Sequence, residues 1–130
     1  MFLDPGAREF YIDWDRAAGD VVALLRTAAG RDPYDRDLSD LVGELSTQSP
    51  EFRTRWAAHN VRFHDTGVKD VHHSVVGEIT LTYNRMELPA DPGLAITIYT
   101  AERGSRSAEA LSLLGSWDHD AGTTGAPEQE

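Results

Sequence analysis

Hydrophobic residues recur at helical spacing in the first part of the chain. Between residues 14 and 28, apolar side chains return every three or four positions, which is the pattern of a helix with one buried face. Asp13 can cap the start of this helix and Gly30 can end it. A second helix is predicted over residues 38–45, and a short third helix begins at Ser49, where a serine precedes a proline.

After residue 60 the pattern changes to alternation with a period of two, which is typical of strands buried on one face. The clearest case is Ile79, Leu81 and Tyr83, which share one face while polar residues lie between them. Turns are predicted at residues 65–67 and at Gly77. The predicted strands lie at residues 61–64, 69–75, 78–84 and 94–101.

These elements predict an α+β domain, because helices are grouped before strands whose short connections favour an antiparallel meander. A closing helix is expected to begin at Ser105 and to stop at Gly115. The predicted domain therefore covers residues 1–115. Residues 116–130 are polar, glycine-rich and acidic, and we expect them to form a disordered tail.

Composition and charge narrow the functional classes. The chain has 130 residues, enough for one domain, and its lack of cysteine excludes disulfides and cysteine-ligated zinc. Its formal net charge is -10, whereas proteins that grip nucleic acid normally carry a basic patch. The sequence contains no apolar run long enough to cross a membrane. We therefore expect a soluble, cytoplasmic protein that does not bind DNA by itself.

Four large aromatic residues are candidates for a ligand pocket. Trp14, Trp56, Tyr83 and Tyr99 lie on predicted elements that face the helix–sheet interface, and each has a polar atom that needs a partner when buried. Ligand pockets are mostly apolar with a few polar anchors, so these side chains could line one. Taken one at a time, each is better explained by core packing, because aromatic residues are common in small cores.

A series of short motifs runs through the chain from Phe2 to Leu114, and their order and spacing matter more than any one of them. They include Phe2-Leu3-Asp4-Pro5, Asp13-Trp14, Leu41-Val42-Gly43-Glu44-Leu45, Ser49-Pro50-Glu51-Phe52-Arg53, Trp56-Ala57, His59, Val61-Arg62, Lys69, His73, Val76-Gly77-Glu78, Tyr83, Leu88-Pro89, Asp91-Pro92, Tyr99-Thr100-Ala101 and Gly104-Ser105. Together they resemble the ligand-binding domain of MmyB-like transcription regulators. In these actinobacterial proteins a helix-turn-helix DNA-binding domain precedes a PAS-like sensor domain.

The resemblance implies a PAS-like fold, with N-terminal helices packed on an antiparallel sheet and a C-terminal helix, and a cavity that can hold a fatty-acid-like molecule. It also implies that DNA is bound by a separate helix-turn-helix domain, which is not in this chain. A carboxylate in such a cavity needs a cation or several donors. Arg62 is the preferred anchor, with His59 or His73 in support, although a salt bridge at a strand edge explains Arg62 equally well. Asn60 stands where the family usually has Asp, which argues against a buried ion pair beside His59.

Other functions remain open on the sequence alone. A metal site would need three or four convergent ligands; His72 and His73 point to opposite faces of a strand, whereas His64 and His72 could meet across a hairpin. A small enzyme of NTF2-like type could pair His59 with Asp65, but the sequence contains none of the common catalytic motifs. A third alternative is an interaction or dimerisation module with a filled core.

We therefore predict the ligand-sensing domain of a transcription regulator, which binds a small apolar or amphipathic molecule and could form a homodimer. It is not expected to be an enzyme or to use a metal or a cofactor, and its ligand is expected to be fatty-acid-like. The predicted ligand-binding residues are Trp14, Trp56, His59, Arg62, His73, Tyr83 and Tyr99.

Overall fold

The computed structural model describes residues 1–60 and 64–121, and these ranges confirm the α+β class. Helices come first, an antiparallel sheet follows, and a further helix lies after the sheet. None of the helices in the described ranges is both long and apolar enough to span a membrane. The elements are α1 (Gly6–Phe10), α2 (Trp14–Arg31), α3 (Arg36–Gln48), α4 (Pro50–Ala57), β1 (Thr66–His73), β2 (Gly77–Glu87), β3 (Ala95–Thr100) and α5 (Arg106–Ala121).

The predicted helix starts at Asp13 and Ser49 are confirmed, whereas α3 begins two residues before the predicted start at residue 38; side-chain caps explain all three starts. Asp13, Asp35 and Ser49 each accept a hydrogen bond from the backbone N–H three residues later, at 3.2, 3.1 and 3.1 Å. Such a bond satisfies one of the N–H groups that a helix start leaves without an internal partner. Ser49 is itself buried, so α4 begins inside the packed region rather than at the surface.

The sheet has the order β1-β2-β3, and both neighbouring pairs are antiparallel, as expected for a meander. We call the face that carries Val71, Ile79 and Tyr83 the inner face, because these side chains are buried. The first predicted strand, over residues 61–64, does not appear at His64, and its remaining residues lie outside the described ranges. The predicted turn at residues 65–67 is wrong, since β1 begins at Thr66.

Gly67 explains why this turn prediction failed. It pairs with Tyr83 across β1 and β2, and a Cβ atom at this position would lie 2.8 Å from the Tyr83 hydroxyl oxygen. A glycine in a strand often marks a place where another group approaches closely. Gly67 therefore makes room for an aromatic ring instead of forming a turn.

The closing helix begins as predicted, because the Ser105 hydroxyl accepts a hydrogen bond from the Ala108 N–H at 3.1 Å. It does not stop at Gly115 but continues to Ala121. Gly115 does not have the positive φ of a glycine that ends a helix, and glycine inside a helix costs only about 1 kcal/mol. The first part of the predicted tail is therefore helical, and residues 122–130 lie outside the described ranges.

Buried residues form two hydrophobic clusters. One lies among the helices around Val22, Leu45 and Phe52. The other joins the inner face of the sheet to α5 through Val71, Ile79 and Ala110. The space between α2 and the far end of the sheet belongs to neither cluster, and the candidate site lies there.

Candidate functional site

A cavity of about 220 Å³ lies between α2 and the inner face of the sheet. The helix provides apolar walls through Val21 and Leu24, while the sheet provides aromatic, hydroxyl and cationic groups. Two apolar side chains facing a mixed polar surface are typical of a site for an amphipathic molecule. The complete lining is Tyr11, Asp20, Val21, Leu24, Lys69, Tyr83, Arg85, Thr97 and Tyr99.

Lys69 is the central charged group of this cavity, and it is the only lysine in the sequence. Its ammonium nitrogen lies 5.8 Å from the ring centroid of Tyr11, 5.3 Å from that of Tyr83 and 5.9 Å from that of Tyr99. These distances allow attraction between the cation and the negative ring faces. Within residues 1–60 and 64–121, no carboxylate forms an ion pair with Lys69.

Strand alternation places Lys69 on the inner face. It lies two residues after Gly67 and two before the buried Val71, and it pairs with Leu81 of β2. An inward position on a half-buried strand normally holds an apolar residue, and a lysine there leaves a charge without full hydration. This is the signal that sequence reasoning missed, because Lys69 was not among the predicted site residues.

The cavity also changes the acid–base behaviour of two tyrosines. Burial, followed by the negative charge of Asp20, raises the pKa of Tyr83, and Arg16 opposes part of this effect. Burial, followed by the neighbouring Tyr99, raises the pKa of Tyr11. Both phenols therefore stay neutral at physiological pH, and their O–H groups remain available as hydrogen-bond donors.

Arg85 is a second cation in the lining, but acidic side chains already balance its charge. Its Nη1 atom lies 3.5 Å from Asp65 and 3.3 Å from Glu87. Glu87 also pairs with Arg31 of α2 at 2.7 Å, and this ion pair connects the helix to β2 beside the cavity. These hydrogen bonds with Arg31 and Arg85 lower the pKa of Glu87. Lys69 is therefore better placed than Arg85 to bind an anion.

Two of the predicted aromatic residues meet in the cavity and two do not. The ring centroids of Tyr83 and Tyr99 are 6.3 Å apart, and both side chains line the cavity. Trp14 and Trp56 instead pack among the helices: Trp14 lies edge-on to Phe2 at 5.8 Å, and Trp56 is stacked on Phe52 at 5.6 Å. The tryptophans contribute to the helical core, as their alternative interpretation anticipated.

The predicted polar anchors lie elsewhere as well. His59 is exposed and has a φ of 54°, and its Nδ1–H donates to the Ala57 carbonyl at 2.8 Å. The Nδ1 atom of His73 accepts the N–H of Val75 at 3.1 Å, which stabilises the turn between β1 and β2. Neither histidine lines the cavity. Arg62 lies outside the described residues, so its role as an anchor stays a prediction.

The alternative metal site and the alternative catalytic pair each require histidine and aspartate side chains that lie apart in the structure. His64 precedes β1 and His72 lies near its other end, opposite Glu78, so these histidines do not meet across a hairpin. His59 contacts the Ala57 carbonyl, whereas Asp65 contacts Arg85. Across the described ranges, no group of three or more His, Asp or Glu side chains converges in a way that could hold a metal ion.

A second, larger depression of about 350 Å³ follows α5. Leu113 and Trp117 line it, and both are more than half exposed, so it is a surface groove rather than an enclosed site. Its charged groups, Arg106 and Glu109, have opposite signs and lie three residues apart on the helix. Because this groove is open to solvent and its two charged groups have opposite signs, we place the candidate site at the cavity under α2.

Comparison with known proteins gives one clear finding. Residues 1–114 match the family described as the MmyB-like transcription regulator ligand binding domain. This range includes every residue that lines the cavity between α2 and the sheet. A comparison with curated proteins gave no match.

Proposed function

The chain belongs to the family of MmyB-like transcription regulator ligand-binding domains, and we propose that it binds a small amphipathic acid in the cavity between α2 and the sheet. The acid group would lie beside Lys69 and its apolar part against Val21 and Leu24. A fatty-acid-like molecule has this chemistry. The family consists of regulator domains and is not an enzyme family.

The observation that carries the proposal is the position of Lys69. Its ammonium group lies among three tyrosine rings and has no carboxylate partner in the described part of the chain. A bound carboxylate would form an ion pair with this ammonium group, and a hydrogen bond between charged groups is stronger than one between neutral groups. The neutral hydroxyl groups of Tyr11 and Tyr83 could donate to the same anion.

The size of the cavity limits the ligand. Its volume of about 220 Å³ lies below the range of roughly 300–1,000 Å³ that is usual for drug-sized ligands. The cavity as it stands therefore suits a short chain, and a longer chain would require α2 to move away from the sheet. Because Val22 of α2 packs in the helical cluster, such a movement would carry the helices of that cluster away from the sheet together.

Ligand binding would alter transcription through the position of α2. A ligand shifts an equilibrium only when it binds one arrangement better than another. A ligand whose carboxylate binds Lys69 of β1 and whose apolar part fills the space under α2 would favour one distance between this helix and the sheet. With a net charge of -10, this chain is poorly suited to contact DNA directly, so we propose that a separate helix-turn-helix domain does so.

Calorimetry with matched pairs of ligands tests the proposal. Straight-chain carboxylic acids from butyrate to dodecanoate are compared with the alcohols of equal length. We expect the best acid to bind about tenfold more tightly than its alcohol, a difference of about 1.4 kcal/mol. The preference should disappear in Lys69→Met and persist in Arg36→Met, which removes a positive charge from the exposed start of α3.

Circular dichroism checks that both variants remain folded. Equal affinity for acid and alcohol in the unaltered protein would contradict the proposed role of Lys69. Failure of every acid in the series to bind would contradict the proposed ligand class.

A further inference from the structure

The strand β3 is exposed along its whole length. All six of its residues, Ala95–Thr100, are exposed, although the strand pairs with β2 along one edge. In the described part of the chain, no strand pairs with the other edge. The backbone N–H and C=O groups on that edge therefore form a ready template for another strand.

The composition of β3 does nothing to discourage such pairing. Natural edge strands are commonly protected by lysine, proline, inward charges or bulges. The segment Ala95–Thr100 contains no charged residue and no proline, although 26% of the chain is charged. Its isoleucine, threonine and tyrosine residues instead have high β-propensity. The composition of β3 therefore favours pairing of its free edge with another strand.

We infer that β3 pairs with β3 of a second copy of the chain, in antiparallel orientation across a two-fold axis. A strand edge is self-complementary in this arrangement, because each copy offers the same donors and acceptors in reverse order. Charge opposes this contact less at β3 than elsewhere: two chains of net charge -10 repel each other, and the repulsion is weakest where the contact surface carries no charge. The dimer would join two three-stranded sheets into one of six strands.

Side-chain alternation restricts the register. Thr97 and Tyr99 lie on the inner face, whereas Ile96 and Ile98 lie on the opposite face. Directly opposed residues of an antiparallel pair lie on the same face of the sheet. The two-fold axis must therefore pass between the two copies of one residue, so that this residue lies opposite itself. We place Ile98 opposite Ile98 of the second copy, so that residues 96–100 pair within the two strands and Tyr99 lies opposite Thr97.

This register brings the interface to the candidate site. Thr97 and Tyr99 line the cavity under α2, and the second copy would lie directly beside them. The ligand and the dimer would then stabilise each other through shared side chains. The interface itself is inferred from β3 alone and does not depend on the identity of the ligand.

Crosslinking with single cysteines tests the register, because the chain contains no cysteine of its own. The variant Ile98→Cys places two thiols opposite each other at the axis, where Cβ atoms of paired residues lie about 4.5–5.5 Å apart, close to disulfide range. The control is Val68→Cys, which lies on the same face of the sheet but on β1. The two native side chains are similarly exposed, Ile98 by 44% and Val68 by 47%.

We expect mild oxidation to convert most of the Ile98→Cys protein into a covalent dimer and to leave Val68→Cys monomeric on a denaturing gel. Equal crosslinking of both variants, or none at Ile98→Cys, would overturn the register.

Sedimentation equilibrium tests the interface itself. The unaltered chain should dimerise reversibly, and Ile98→Lys should raise the dissociation constant at least tenfold, because two like charges would meet at the axis. Val68→Lys is the matched control and should dimerise normally. If the unaltered chain is monomeric at all concentrations, the inference is overturned. The free edge of β3 would then be a site for an extended segment of another protein. A dimer that survives Ile98→Lys would also overturn the inference.

Discussion

Lys69 carries more of the functional argument than any other residue. The sequence uses arginine at eleven positions and lysine at one. Several arginines have planar partners: Arg8 and Arg26 stack on Trp14 and Trp56 at 3.9 and 4.2 Å. A lysine ammonium is instead a compact point charge with three rotatable donors. It suits a position among tyrosine rings from which it can turn toward a bound anion.

Tyr83 predicts how the stability of the domain depends on alkaline pH. Its pKa is raised in the folded protein, chiefly by burial and then by Asp20, so the folded chain holds the phenol proton to higher pH than the unfolded chain does. The stabilisation is complete below the ordinary tyrosine pKa of about 10 and is lost as pH rises through the folded value. Tyr83→Phe should therefore lose less stability than the unaltered protein above pH ~10.

Urea unfolding at a series of pH values, from neutral to strongly alkaline, measures this difference. If both proteins lost the same free energy of unfolding over the alkaline range, the burial of the Tyr83 hydroxyl would be contradicted.

At the scale of the elements, glycines account for two errors of position. Gly67 resembles a turn residue but lies inside β1, where its missing side chain accommodates Tyr83. Gly115 resembles a helix stop but lies inside α5. A glycine signals either a special backbone angle or the absence of a side chain, and the sequence alone does not tell these apart. Caps are less ambiguous, and the helix starts at Asp13 and Ser49 were accordingly predictable.

Paired glycine substitutions test the close contact between β1 and β2. In Gly67→Ala the new methyl group would lie 2.8 Å from the Tyr83 hydroxyl oxygen, so the ring must move, and overpacking of this kind costs about 1–3 kcal/mol. Gly43→Ala is the control, because it lies in α3 with nothing within 4 Å of the added Cβ. It should instead stabilise the protein by up to about 1 kcal/mol.

Urea unfolding of both variants and the unaltered chain gives the comparison. A stability change of the same sign and size in the two variants would contradict the contact between Gly67 and Tyr83.

At the scale of the whole molecule, the cavity exists because the domain has two small hydrophobic clusters instead of one continuous core. One cluster holds the helices together, the other holds the sheet to α5, and α2 reaches the far end of the sheet through the ion pair between Arg31 and Glu87. An exposed ion pair contributes only about 0–1 kcal/mol. Breaking this ion pair would therefore cost a ligand little free energy.

This arrangement also explains which part of the site could be predicted from the sequence. Tyr83 and Tyr99 were identified because an aromatic residue at an alternating strand position points into the fold. Trp14 and Trp56 have equally large rings, but the helix faces that carry them pack against Phe2 and Phe52. The ring cluster around Lys69 joins residues from β1, β2, β3 and the segment before α2, and only tertiary structure brings these together.

The most direct test of the central claim observes Lys69 itself. Reductive methylation with ¹³C-formaldehyde keeps the positive charge and labels the single lysine, whose NMR signal can be separated from that of the terminal amine by comparison with Lys69→Met. Titration with the best-binding acid should shift the lysine signal to saturation at the calorimetric affinity, whereas the alcohol of equal length should leave it nearly unchanged. An acid that binds without moving the lysine signal would contradict the account, because its anionic group would then lie elsewhere.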